Sequence, residues 1–289
     1  MTLAQWIEMF RTDPRIFRFG MICSLVLGCC IGSFLNVCIW RVPRGMSIVS
    51  PPSHCQNCGH EIRAWENIPL LSWIFLGGKC SCCRKPITIR YFLVELMVGL
   101  LYSMIFLTVI VRNLPAAAMV FYWSFASLLI CSAFTDCETG IIPNEFTYLG
   151  IALGLILSPL CPSYWLTDSR VLALLLSFGS ALAAGGLMAG CALLGRLLFK
   201  REALGWGDVK LVAAGGAMLG LPGALFMVTG GCLLALAGFP LLRLLVRKYR
   251  HRRTLKFGPF LALGGLCWIF LSSAPFFLDF LARLLQNMR

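Results

Sequence analysis

Two sets of residues in this chain have the types and spacing for chemistry. The first is a pair of aspartates. Asp208 stands in "EALGWGDVKL" (Glu202 to Leu211), directly after Gly-Trp-Gly and at the mouth of an apolar segment. Gly205 and Gly207 remove Cβ atoms from the approach, so another backbone can come close. Lys210 adds a cation at a helix start, where the macrodipole disfavours one, and Glu202 adds a further acid. Asp136 stands in "CSAFTDCETGIIPNEFTYLG", at the end of another apolar segment, before a Pro143-Asn144 pair that restarts a helix. The plain reading of Asp208 is an N-cap. The chemical reading is a dyad: two carboxylates about 3 Å apart cannot both ionise. The ionised one draws a proton from water while the protonated one polarises a peptide carbonyl, which is hydrolysis without a covalent intermediate.

The second set is a cysteine loop, "HCQNCGHEIRAWENIPLLSWIFLGGKCSCCRKPI". Cys55-x-x-Cys58 is followed after about twenty residues by Cys80-x-x-Cys83. Each knuckle turns two thiolates toward one point, and four thiolates make a closed tetrahedral zinc site with no open position. A redox pair, a disulfide or an empty loop are the alternatives. Cys82 also lies close to Cys80, but spacing favours Cys83, and His54 and His60 flank the first knuckle as substitute ligands. Of the fifteen cysteines, nine others fall in or beside apolar stretches, where Cys is a small buried hydrophobe. Cys137, beside Asp136, has no assigned role.

The elements that must position these residues follow from composition. The chain has 289 residues, 59% hydrophobic and 13% charged, with a mean hydropathy of +0.83. A soluble domain carries about 25% charged residues. Half that figure predicts an all-α polytopic membrane protein. About eight apolar stretches are long enough to be spans. They run roughly over 19–40, 91–111, 115–135, 144–161, 171–195, 209–221, 222–246 and 258–279. "GLPGA" (220–224) reads as the tight turn between the sixth and seventh. Twelve acids are present. Those in or at the edge of spans are Glu95, Asp136, Glu138, Glu145, Glu202 and Asp208, and ionisable groups there are functional hypotheses by default.

The net charge of +13 does not point to nucleic acid, because the basic residues cluster between apolar segments. Loops before the second, sixth and eighth spans hold most of the Lys and Arg, which places them in the cytoplasm and both termini outside. Arg11, Arg15 and Arg18 run against that placement. The N-terminal stretch carries Glu8 and Asp13 and is followed by no clean small-residue cleavage site, unlike an ordinary secretory signal. The expected division is 1–41 as N-terminal segment and first transmembrane helix, 42–90 as a small cytoplasmic cysteine-rich zinc-binding domain, and 91–289 as transmembrane peptidase core. A loop domain of that size needs a staple.

At these residues the chain resembles the type IV prepilin peptidases, the bifunctional leader peptidases and N-methyltransferases of bacterial inner membranes. "GSFLNVCIWRVPRG" (32–45), "ENIPLLSW" (66–73), "PITIRYFLVEL" (86–96), "FTDCETGIIPNEFT" (134–147) and "EALGWGDVKL" (202–211) carry the resemblance, in the family's order. It implies that Asp136 and Asp208, the latter in a Gly-x-Gly-Asp motif, are the catalytic aspartates, with Gly205, Gly207, Glu202 and Lys210 in support. It implies structural zinc on Cys55, Cys58, Cys80 and Cys83. It implies cleavage of the basic leader of prepilins or pseudopilins of the type IV pilus or type II secretion, on the cytoplasmic side. Methylation of the new N-terminal residue with S-adenosylmethionine follows. Asn144 stands where the family often has Asp. No glycine-rich dinucleotide-type fingerprint appears, so the methyl-donor site is unconventional. Asn36, Glu95, Glu202 and Lys210 are candidates, because polar groups at these depths need partners. The rival readings are a peptidase without methyltransferase activity, a cation-coupled membrane transporter, and a zinc-stapled scaffold. Both aspartates fall at one membrane face rather than at mid-membrane, which favours hydrolysis over a proton relay.

Overall fold

The structure, a computed structural model, describes residues 8–10, 12–200, 204–245 and 255–272. Among them the regular elements are helical. They are α1 (Pro14–Arg41), the short α2 (Leu71–Phe75), α3 (Arg90–Val111), α4 (Ala116–Thr139), α5 (Asn144–Leu160), α6 (Arg170–Phe199), α7 (Trp206–Leu245) and α8 (Gly258–Leu271). Five helical stretches are long and apolar enough to cross a membrane: Pro14–Arg44, Arg90–Val111, Ala116–Thr139, Arg170–Phe199 and Trp206–Leu241. α5 and α8 are shorter apolar helices. α6 exposes Leu175, Leu182, Leu193, Leu197 and Leu198, an apolar surface that lipid covers at no cost and water does not. The protein is a multi-pass membrane protein.

α7 is one helix only by continuity of its backbone hydrogen bonds. Gly220 has φ 75° and ψ 171°, a conformation open only to glycine. There the chain reverses. Met227 Sδ lies 3.0 Å from the Cβ position of Gly215, whereas twelve residues of straight helix would separate them by about 18 Å. Pro222 sits in the first turn after the break, where its missing N–H costs nothing. The sequence turn at 220–224 is thus a hairpin between arms 206–219 and 221–245. Counting the arms separately gives eight apolar helical segments among the described residues.

Two compact units result, Met1–Met119 and Val120–Arg289. In the first, α1 and α3 pack antiparallel along a row of small buried residues, Gly20, Ser24, Gly28 and Gly32. A Cβ on Gly28 would meet Gly99 Cα at 2.8 Å, so the backbones touch, as small residues at four-residue spacing permit. Asn36 Nδ2 donates to Tyr91 O (3.0 Å) and Ser103 Oγ to Met21 O (3.2 Å), tying both ends of the pair. In the second unit the first arm of α7 meets α5 at Gly150 and Gly154 and α6 at Ser180. Ser177 Oγ donates to Ala217 O (2.9 Å). The second arm packs on α8 through Gly231 and Gly264. Phe121, Phe125 and Leu129 of α4 are fully buried, and Tyr164 stacks on Phe121 at 4.2 Å.

Candidate functional site

The cysteine loop folds into two matching knuckles. In the first, Cys55 N donates to His60 O (2.8 Å), Gly59 N donates to Cys55 O (2.9 Å), and Gly59 takes φ 72°. In the second, Cys80 N donates to Lys85 O (2.9 Å), Arg84 N donates to Cys80 O (3.1 Å), and Arg84 takes φ 56°. The sulfurs of Cys55, Cys58, Cys80 and Cys83 all lie within 4.8 Å of one another. Cys55–Cys83 is 3.8 Å and Cys58–Cys80 is 3.9 Å. A tetrahedron with zinc–sulfur bonds of about 2.3 Å has edges of about 3.8 Å, so the donor set fits zinc in chemistry and in span.

The knuckle geometry separates Cys82 from Cys83: Cys82 is exposed and outside the group. His54 Nδ1 lies 3.0 Å from Pro52 O, and His60 Nε2 faces Glu66 Oε2 at 3.5 Å. Neither joins the sulfurs. Lys85 Nζ donates to Asn57 Oδ1 (2.6 Å), and Asn57 Nδ2 reaches Cys83 Sγ (3.6 Å), so the knuckles brace each other. The Lys85 N–H holds the Cys83 thiol down to about 6, and the N–H groups of Asn57 and Cys58 lower Cys55. At Cys58 the His60 N–H acts downward, but lost hydration and the neighbouring thiols push it up to about 12. A divalent cation relieves that crowding of negative charge.

The aspartates belong to the second unit. Asp136 lies in the last turn of α4 and is 6% exposed. Its Oδ2 accepts from Gly258 N (3.0 Å), the first residue of α8. The carboxylate therefore sits on a helix N-terminus, where backbone N–H groups and the dipole favour an anion. A Cβ on Gly258 would lie 2.8 Å from Asp136 Oδ2, so only glycine admits the carboxylate there. Lys256 Nζ donates to Asp136 O (2.7 Å) and Cys137 O (2.9 Å), capping the open carbonyls of α4.

Asp208 is the third residue of α7, within the first turn of a helix that begins at Trp206. It is not the N-cap that its position before an apolar run would give. Its side chain is half-buried and lies within electrostatic reach of Asp136. Its Oδ2 lies 3.3 Å from the Cβ position of Gly205, and Gly207 abuts Ile142 at 3.0 Å. Both glycines thus keep the approach to Asp208 narrow and free of side chains. Lys210 Nζ donates to Asn144 Oδ1 (2.8 Å) and lies 5.2 Å from the Tyr148 ring centre. The ammonium pins α7 to α5 at the site's edge. Glu202 lies outside the described residues. The arrangement gathers the C-terminal end of α4 and the N-terminal ends of α5, α7 and α8 around two carboxylates.

Lys256 and Gly258 are the site residues that sequence reasoning missed. The signal was present as Gly258-Pro259, a helix start beside a lysine, but it read as one more basic loop before a span. Of the remaining candidates, Asn36 and Glu95 belong to the first unit and line one cavity there.

Residues 26–127 match the Bacterial Peptidase A24 N-terminal domain, and residues 123–239 match the Type IV leader peptidase family. The chain is 36% identical to a prepilin leader peptidase/N-methyltransferase of Burkholderia pseudomallei (strain 1026b), over 88% of this chain and 86% of the relative. It is 32% identical to the protein of that name from Neisseria gonorrhoeae, over 87% and 90%. It is 33% identical to that of Aeromonas hydrophila, over 83% and 86%. The chain belongs to the type IV prepilin leader peptidase family. No solved structure matches it. The four cysteines fall within the first family-matched stretch and both aspartates within the second. Lys256 and Gly258 lie beyond the matched residues of this prepilin-peptidase chain.

Proposed function

We propose that this chain cleaves the basic leader of prepilins or pseudopilins and then N-methylates the new N-terminus with S-adenosylmethionine. It does so at the cytoplasmic side of the bacterial inner membrane, with the cysteine-rich loop in the cytoplasm. The observation that carries the hydrolytic half is that Asp208 lies within electrostatic reach of Asp136 at one end of the second unit, with the Gly258 N–H on Asp136.

Brought to about 3 Å on substrate and water, the two carboxylates share a proton. The Gly258 N–H occupies Asp136 Oδ2 as an acceptor, which leaves the shared proton to the other oxygens of the pair. The ionised carboxylate takes a proton from water as the water oxygen bonds to the scissile carbonyl carbon. The partner carboxyl gives its proton to the carbonyl oxygen. Collapse of the tetrahedral intermediate breaks the C–N bond: the leaving nitrogen takes the proton that came from water, and a hydroxyl of the intermediate returns one to the partner carboxylate. Gly205 and Gly207 admit an extended peptide backbone. The four cysteines hold structural zinc, whose closed shell leaves no position for a reacting group and whose binding energy folds a loop too small for a core. S-adenosylmethionine supplies an electrophilic methyl group for the amine that cleavage frees.

Mass spectrometry of a prepilin incubated with purified enzyme, with and without S-adenosylmethionine, tests both halves. The expected products are a shortened pilin in both reactions, 14 Da heavier only with the donor (on the order of one methyl group per cleaved N-terminus). Asp136→Asn and Asp208→Asn are each expected to lower cleavage by about 10²–10⁴-fold, the range of general acid–base catalysis, while the protein still inserts. Wild-type rates in either variant would reject the dyad.

A further inference from the structure

A second cavity-bound chemistry is written into the first unit. Beneath the cysteine knuckles, between α1, α2 and α3, lies a cavity of about 250 Å³. Its wall includes Asn36, Arg41, Trp73, Tyr91 and Glu95. Three of these are deeply buried polar residues: Asn36 is 1% exposed, Arg41 4% and Glu95 8%. Asn36 Oδ1 and Trp73 Nε1 are buried without a hydrogen-bond partner among the described residues. Buried polar atoms are satisfied in the large majority of cases, and an orphaned acceptor and an orphaned donor on one cavity call for an explanation.

The charges on the wall are equally unusual. The Arg41 guanidinium donates to Ser47 O (3.0 Å) and Pro52 O (3.3 Å), carbonyls rather than a carboxylate. Glu95 Oε2 accepts from Leu70 N (2.8 Å) and has no cation on it among the described residues. A buried cation and a buried anion, both unneutralised and both on one cavity, suit a ligand that carries both signs. The Trp73 ring, tilted against Phe92 at 5.2 Å, adds an aromatic surface, which attracts a soft cation.

We propose that this cavity binds the charged amino-acid end of the sulfonium methyl donor. Arg41 and the Trp73 N–H take its carboxylate, Glu95 and Asn36 Oδ1 take its ammonium and face its sulfonium, and the Trp73 ring lies against the methionine chain. The volume holds the methionine half and leaves the nucleoside at the mouth, since whole-ligand pockets run from about 300 Å³ upward. The assignment rests on the methyltransferase reading above and gives it a site that no dinucleotide-type motif supplies.

Calorimetric titration of the full-length protein in detergent tests it, with leader cleavage measured in parallel. Glu95→Gln keeps an acceptor for Leu70 N and removes the charge; Trp73→Phe keeps the ring and removes the N–H. Glu95→Gln is expected to weaken S-adenosylmethionine binding by about tenfold or more, and Trp73→Phe by about fivefold, with cleavage at the wild-type rate. S-adenosylhomocysteine has the same skeleton and no sulfonium charge, so Glu95→Gln is expected to weaken it less. Wild-type affinity in both variants, or equal loss for both ligands in Glu95→Gln, overturns the assignment. A wild-type protein that cleaves but neither binds nor uses the donor overturns the methyltransferase reading and the assignment with it. If a variant also loses cleavage, photolabelling of the wild type by the radiolabelled donor decides. Label within 33–95 supports the cavity, and label within 120–272 overturns it.

Discussion

The proposed peptidase depends most on a hydrogen atom: the one that stands on Gly258 in place of a side chain. Asp136 fills that space, and the first N–H of α8 holds its oxygen. Gly258→Ala is expected to displace the carboxylate and lower leader cleavage by about tenfold or more, the scale set by misplacing a reacting group by about 1 Å. Steady-state cleavage, with circular dichroism to show retained helix, measures it. Lys256 acts one step back, through the carbonyls of Asp136 and Cys137. Neither residue stood out in the sequence, because Asp136 and Gly258 are 122 positions apart. No local pattern records which helix N-terminus a distant carboxylate will cap. Asp208 was legible from Gly-Trp-Gly-Asp, yet its place within the first helical turn, rather than at the cap, was not. Helix starts are fixed by backbone contacts such as Gly207 on Ile142.

At the scale of elements, the stiffest requirement is the reversal at Gly220. Any other residue there must adopt φ 75° and ψ 171°, at a cost of order 1–3 kcal/mol. Gly220→Ala is expected to lower the unfolding temperature in detergent and to reduce cleavage only in proportion to the folded fraction. Thermal unfolding followed by activity at a permissive temperature separates the two effects. Hydropathy found the apolar helices of the described residues and placed this turn, because length and apolar content decide a span. It could not tell that α1 and α3 pair through Gly20, Ser24, Gly28 and Gly32. A four-residue row of small residues marks a contact face without naming its partner.

For the molecule as a whole, the proposed zinc on the cysteine cluster would staple a loop with little core of its own. Replacing Cys55 and Cys58 with Ser together is expected to abolish stoichiometric zinc, measured by atomic emission. Methylation should then fall further than cleavage. Acid should act in the same direction. Cys83 is held at about 6, below the ordinary thiol value. Its thiolate therefore favours the folded site at neutral pH, and that contribution is lost as pH falls through about 6, where protons compete with metal. Zinc retention against a chelator is expected to hold at pH 7.5 and to fail toward pH 5. Retention that is flat across this window would reject a thiolate-only site.

The sequence by itself determined the helical membrane class, the two chemical groups and their residue types, because hydropathy, knuckle spacing and Gly-x-Gly-Asp are properties of short stretches. It favoured Cys83 over Cys82 by spacing alone, and it listed Asn36 and Glu95 without a common place. Tertiary structure decided these. The matched turns at Gly59 and Arg84 select Cys83 by direction, and the α1–α3 crossing brings Asn36 and Glu95 to one cavity. The docking of α8 on α4 sets Gly258 on Asp136. The last two are contacts between segments far apart in the chain, set by which backbones can approach closely, and no window of neighbouring residues contains that information.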